Sequence, residues 1–233
     1  MNRRDVLTAL PAGAAALAFP ELRRERASDK PGTHEIVPLP FDPTKLRGLS
    51  EKLIVSHHDN NYAGAVKNLN RVEAELANVT KDTPPFVVAG LKERELTFRN
   101  SAALHELYFG NLAGDGKLEG ELAGAAATAF GSAARCEELI RATAMALAGG
   151  SGWVVLGYDL HRDGLALSWS GGHTQHLAAC LPVLVLDMYE HSYHLDYGAA
   201  AARYVDAFFA NLHGEELNRR LAAARKAAAA MRA

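Results

Sequence analysis

Cysteine is scarce: Cys136 and Cys180 are the only two in 233 residues, and neither belongs to a C-x-x-C pair. A closed thiolate cage of the structural-zinc kind is therefore excluded. Both lie in segments that read as buried, so they are expected as small core residues. Whether they pair depends on a proximity that spacing does not supply. A basic surplus is also missing. The 25 Lys and Arg against 27 Asp and Glu leave a formal charge of −2, so nucleic acid is not an expected partner. No apolar run reaches the ~18 residues of a membrane-spanning helix, and no membrane association is expected. There is no internal repeat. What is present, 48% hydrophobic and 22% charged residues, describes an ordinary globular chain. Its length suits one large domain or two small ones sharing an interface.

The first thirty residues stand apart. Arg3-Arg4 is followed by Asp5-Val6-Leu7, an Ala-rich apolar run from Ala9 to Pro20, and a charged stretch from Glu21 to Lys30. A basic start, a weakly hydrophobic middle and a polar flank match a twin-arginine export signal. Residues 1–30 are thus expected to be a signal and flexible N-terminus, and the mature protein periplasmic or otherwise exported. The competing reading is a disordered or amphipathic N-terminal helix on a protein that stays cytoplasmic. With a cut near Ala27-Ser28, five arginines and three acids leave, and the formal charge moves from −2 to −4.

After this segment, Pro38 and Pro40 keep His34 to Asp42 extended. Leu53, Ile54, Tyr62, Ala65, Val66, Leu69, Val72 and Leu76 recur at helical spacing, predicting one helix from Leu49 to about Ala77 with Ser50 as N-cap. A loop containing Pro84-Pro85 is expected from Asn78 to Phe86. A second helix covers Glu95 to Leu112 and ends at Gly114-Asp115-Gly116. The two helices read as an antiparallel hairpin occupying residues 31–117. From 118 to 233 the pattern changes. Leu118 to Phe130 and Cys136 to Leu147 read as helices. Trp153 to Tyr158, Leu165 to Ser170 and Val183 to Leu186 read as short strands, and Tyr204 to Leu212 and Glu215 to Met231 as helices. The fold class is α+β, with a helical N-terminal half and a C-terminal α/β domain.

Local chemistry points first to Asp187 and His191. They follow the apolar run Leu181 to Leu186, so a carboxylate and an imidazole emerge together at a strand end. They form either a ligand pair or a structural hydrogen bond. His57, on a hydrophobic helix face, and His105, between Leu104 and Leu107, each also read as satisfied core histidines. Spacing alone does not join these three places.

A resemblance joins them. The stretch from Asp187 to Tyr197 is similar to the D-x-W-E-H-A-Y-Y-x-x-Y block of iron/manganese superoxide dismutases. Leu49 to Asn70 aligns without gaps to that family's first helix, with His57 on its first ligand. Leu104 to Leu112 resembles its N-H-x-x-F-W-x-x-L ligand helix. Phe130-Gly131-Ser132 and Gly150-Ser151-Gly152-Trp153 match two further landmarks in order, so the blocks span nearly all of residues 35–215. The resemblance implies a small three-stranded antiparallel sheet in the C-terminal domain. It also implies a homodimer and one iron or manganese ion per subunit held by His57, His105, Asp187 and His191. The implied activity is conversion of superoxide to oxygen and hydrogen peroxide. A donor set of three imidazoles and one carboxylate suits either metal.

The resemblance also assigns surroundings. Glu190 is implied to bond to His191 of the other subunit, and Trp153 to wall the metal pocket. The group that contacts metal-bound solvent falls within Gly171 to His176, with His173 favoured over Gln175 and His176. Ser101 or Ala102 occupies the other place from which relatives donate it. The substrate gateway departs from the family pattern. Its tyrosine falls on Ala65, the channel histidine on Asn61, the tyrosine that reaches that histidine on His194, and the funnel arginine on Ala201. Tyr189 replaces a tryptophan. Tyr62, three residues before Ala65, is expected to face a similar direction and substitute in part. Asn61 and His194 are expected to pair across the dimer. A metal-binding relative with weak or different redox activity is the alternative function.

Overall fold

Residues 30–232 are described by the structure, a computed structural model; the export-signal expectation, on residues 1–30, lies outside them but for Lys30. After a turn at Gly32, the chain runs from Thr33 to Leu39 without helix or strand along the helical hairpin. Asn70 clamps His34 there by accepting its N–H and donating to its carbonyl. Helix α1 (Glu51–Ser56) opens as expected, with Ser50 Oγ accepting from the Leu53 N–H.

The single helix expected to run on to Ala77 is interrupted. Between α1 and α2 (Ala63–Leu76) the backbone widens into a π-helical turn over His57–Tyr62, where the Ala63 N–H reaches the His58 carbonyl five residues back. Periodicity cannot show such an insertion, because apolar residues on either side still fall close to a helical repeat. The next helix also departs from expectation. α3 spans Pro85–Gly110, starting ten residues earlier than read, with Pro85 at its first position. Proline has no N–H to leave unpaired there, so Pro84-Pro85 opens the helix and does not lie in a loop. α2 and α3 pack together as the expected hairpin.

Helices α4 (Glu121–Phe130) and α5 (Ala133–Ala146) follow, the second capped by Ser132. Strands β1 (Trp153–Asp159), β2 (Gly164–Ser170) and β3 (Cys180–Asp187) form the antiparallel sheet in the order β2-β1-β3. Gly152 sets the sheet's start: a Cβ there would stand 2.1 Å from the Ser170 carbonyl oxygen. Trp153 is thereby brought into register with both Ser170 and Asp187. At Gly157 the missing side chain makes room for Cys180 Sγ where β1 and β3 slip register. Cys180 is half-buried, not a core residue as read, while Cys136 is fully buried; both are free thiols.

Short helix α6 (His194–Tyr197), α7 (Ala201–Ala210) and α8 (Gly214–Arg232) complete the chain. Buried Arg220 of α8 donates to the Leu107 carbonyl near the end of α3, to Asn111 Oδ1 and to the Val183 carbonyl on β3, and pairs with Glu216. It ties the last helix to both the hairpin and the sheet. No helix among the described residues is long and apolar enough to cross a membrane.

Candidate metal centre

Three elements deliver four polar side chains to one buried point. The π-helical turn carries His57, the last two turns of α3 carry His105, and the end of β3 with its following turn carries Asp187 and His191. Their candidate ligand atoms all lie within 4.8 Å of one another. Asp187 Oδ2 is the hub. His57 Nε2 stands 3.1 Å away, His191 Nε2 3.2 Å and His105 Nε2 3.7 Å. His57, His105 and Asp187 are essentially inaccessible to solvent, and His191 is partly exposed.

The supports explain the aim of each ligand. His105 Nδ1 donates to the Ser101 carbonyl at 2.7 Å, so its proton sits on Nδ1 and the Nε2 lone pair points inward. Asp187 Oδ1 accepts from the Tyr189 N–H, which leaves Oδ2 for the three rings. The Asp187 carbonyl receives both Tyr204 OH and Ser192 Oγ, so the strand end is held on two sides. His57 packs between Tyr108 and Phe109, each with its ring centroid 5.1 Å away.

Protonation suits a cation. Burial lowers the pKa of His57, and lowers that of His105 to about 3, so both rings are neutral with lone pairs available. Burial alone would raise the Asp187 pKa, but the interactions with His191 and the hydrogen bond to His57 outweigh it, and the carboxyl stays ionised. His105 Nε2 is buried with no hydrogen-bond partner. Such an atom is costly unless something accepts its lone pair. His57 Nδ1 is the second such atom, a ring nitrogen that no described group meets. Three nitrogens and one carboxylate oxygen converging without a thiolate fit iron or manganese.

Around the cage, Trp153 packs edge-on to His105 at 5.1 Å, and its Nε1–H donates to His173 Nδ1 at 3.0 Å. His173 stacks on Tyr189 at 4.9 Å, and Tyr189 stacks on His191 at 5.3 Å. His173 thus stands one ring away from the ligands. Gln175 is taken up with the Gly171 N–H. Asn100, one residue before Ser101, donates to the His173 carbonyl at 2.6 Å. Sequence reading missed Asn100 and Tyr204, whose partners are distant in the chain. The Ser101–His105 pair was findable from its four-residue helical spacing.

The gateway residues are placed differently. Ala65 and Ala201 are buried. Tyr62 is also buried. Its hydroxyl does not share the open approach expected of it; it donates to Glu106 Oε1 and accepts from the Val37 N–H, both at 2.8 Å. Asn61 is half-buried, Glu190 and His194 are exposed, and their side chains make no hydrogen bond among the described residues.

Comparison with known proteins agrees with this geometry. Residues 118–220 match the model of the C-terminal domain of iron/manganese superoxide dismutases. A protein named superoxide dismutase [Fe] from Cupriavidus metallidurans is 50% identical over 192 residues, covering 82% of this chain and 98% of that one. The superoxide dismutase [Fe] of Aquifex aeolicus is 32% identical, covering 86% and 98%. The superoxide dismutase [Mn] 1 of Halobacterium salinarum is 34% identical, covering 76% and 88%.

Proposed function

The chain belongs to the iron/manganese superoxide dismutase family, and from that premise we propose that it disproportionates superoxide: two superoxide anions and two protons yield one oxygen and one hydrogen peroxide. One observation carries the reading, the convergence of three imidazole Nε2 atoms on a single buried carboxylate oxygen. His57, His105, Asp187 and His191 hold one iron or manganese ion per subunit. Bound there, the ion supplies one-electron chemistry by alternating between its +3 and +2 states.

The chain's own residues do the rest. Ser101 and the Tyr189 N–H aim the ligands, while Tyr108, Phe109 and Trp153 keep bulk water from the cage. Trp153 is a donor only, so His173 accepts at Nδ1 and its neutral ring carries the proton at Nε2. We assign that N–H to orienting solvent and passing a proton toward nascent peroxide, with Asn100 fixing the peptide that presents it. Tyr62 acts as a brace between the N-terminal segment and α3.

Two coarser features complete the proposal. A homodimer gives Glu190 its task, accepting the Nδ1–H of His191 in the other copy. That nitrogen has no bond among the described residues. Asn61 and His194 pair across the same contact in place of the usual gateway. The Arg3-Arg4 segment directs export by the twin-arginine route to the periplasm.

The test is superoxide decay per bound metal ion. Metal-loaded wild type accelerates decay in proportion to its metal content, and His57→Ala loses both metal and rate. Fully loaded wild type that leaves decay unaccelerated overturns the reading. It would favour the alternative of weak or different redox activity, which the buried alanines at positions 65 and 201 bring forward.

A further inference from the structure

The segment that precedes α1 takes its polar attachment from side chains. Among the described residues, no backbone group of residues 34–39 bonds to another backbone group. Asn70 holds His34 at both its N–H and its carbonyl. Buried Glu73 accepts from the Gly32 N–H and faces His34 Nε2 at 2.9 Å. Further along this strap, Val37 is held in the same way by the π-helical turn. Its N–H donates to the Tyr62 hydroxyl and its carbonyl accepts from His58 Nε2, both at 2.8 Å. Pro38 follows, which restricts Val37 to extended conformations before it docks.

The two side chains that hold Val37 sit beside the cage. His58 follows the ligand His57, Tyr62 closes the same turn, and both are buried. Tyr62 also donates to Oε1 of Glu106, which follows the ligand His105 on α3. His58, Val37, Tyr62 and Glu106 thus form a bracket from the neighbour of one ligand to the neighbour of another. It passes through a residue that belongs to neither helix. The turn needs such a hold, because it absorbs one residue more than an α-helix would. Wound as ordinary α-helix, the same residues would rotate α2 by about 100° relative to α1. Either His57 or the face that α2 packs on α3 would then lose its aim.

We propose that Val37 is a positioning residue of the metal centre, and that docking of its backbone and binding of the ion strengthen each other. The proposal rests on the cage being the metal site. Holding Val37 fixes the widened turn, and with it the placement of His57 against His105, whose ring centroid is 5.0 Å away. An ion shared by the two rings holds the turn in its widened form, and so keeps the Tyr62 hydroxyl and His58 Nε2 where Val37 meets them. Linkage makes the two effects equal in size. Val37, His58 and Tyr62 act through His57 and His105, not on the substrate.

Val37→Pro tests this from outside the hairpin, because it removes one N–H and alters no helix residue. In the full-length protein loaded with iron or manganese, it speeds loss of the ion to a chelator about fivefold or more, the lower end of common coupling between sites. Tyr62→Phe lacks the hydroxyl and has at least as large an effect. The double variant loses the ion no faster than Tyr62→Phe, since the shared bond can be lost only once. Ile140→Val, a change in the buried core on α5, keeps the wild-type rate, which separates positioning from general loss of stability. Hydrogen exchange reads the reverse direction. Loading the ion slows exchange of the His34–Val37 amides but not of the exposed Asp82 amide at the hairpin tip, and Tyr62→Phe abolishes that slowing. An unchanged rate of ion loss in Val37→Pro, multiplying effects in the double variant, or strap exchange indifferent to the ion each overturns the proposal. Wild type that takes up neither metal overturns the metal-site reading and the proposal with it. If Val37→Pro fails to fold, the exchange comparison on wild type and Tyr62→Phe decides by itself.

Discussion

Replacing Trp153 with phenylalanine isolates the link between the pocket wall and His173. Trp153 is completely buried, and its indole N–H donates 3.0 Å to His173 Nδ1. Phenylalanine keeps an aromatic wall against His105 but has no donor. Loss of one neutral hydrogen bond costs about 1 kcal/mol. The smaller ring adds roughly 1–2 kcal/mol for the space it leaves, less than the ~3–5 kcal/mol of full truncation to alanine. The sum, about 2–3 kcal/mol, lowers the melting temperature of metal-stripped protein by roughly 5–10 °C for a chain of this size. A double-mutant cycle then separates bond from packing. Trp153→Phe combined with His173→Ala costs about 1 kcal/mol less than the two single changes added, because the shared bond can be lost only once. His173→Gln retains an acceptor and shows a smaller effect than His173→Ala. Additivity within ~0.3 kcal/mol would refute the reasoning that Trp153 positions His173.

Further outcomes follow from other parts of the structure. Metal-stripped protein loses stability as pH falls below ~6.5, because buried His57 and His105 resist the protons they accept when unfolded, and the slope continues toward about pH 3 for His105. Urea titrations at pH 7 and pH 5 check this, and equal midpoints contradict it. Arg220→Leu strips partners from two carbonyls, Asn111 and Glu216, and costs at least about 3 kcal/mol by the same measurement. Glu190→Ala, at the proposed subunit contact, halves the solution mass and weakens metal retention roughly 10–100-fold, as read by chelator competition; unchanged mass and retention remove Glu190 from that contact. Changing Arg3-Arg4 to Lys-Lys retains the protein in the cytoplasm, and undiminished periplasmic protein rules out the twin-arginine route.

Much of the fold was legible because burial writes itself as periodicity. The hairpin, the three short strands and the closing helices carry apolar residues at the spacing each element needs. The misses have local physical causes. Pro84-Pro85 looks like an interruption until the helix start is known, since proline is tolerated only in the first turn. The π-helical turn adds backbone without changing which residues are apolar. The four ligands were individually indistinguishable from core histidines and a strand-end carboxylate, and only the ordered family blocks joined them. Their supports show why geometry is needed. Tyr62 has helical spacing relative to Ala65, yet its hydroxyl is taken by Glu106 and Val37, and no one-dimensional pattern encodes that choice. Asn100 is one polar residue among several on α3 until the loop carrying His173 folds against it.

The Arg220 clamp has a consequence for timing. The cage already requires contacts between residues 130 positions apart, His57 and Asp187, and the clamp that secures β3 against α3 comes later still, from a helix ending at Arg232. Closing such long loops is entropically costly before the contacts that reward it exist, so it belongs to the late part of folding. A chain emerging from the ribosome N-terminus first displays His57 and His105 well before Asp187, His191 and Arg220 are made. During synthesis it has two separated imidazoles and no enclosure, and the complete pocket arises only once the final helix docks. Selective metal acquisition is therefore an event of the finished chain, set by the order in which the polypeptide is built.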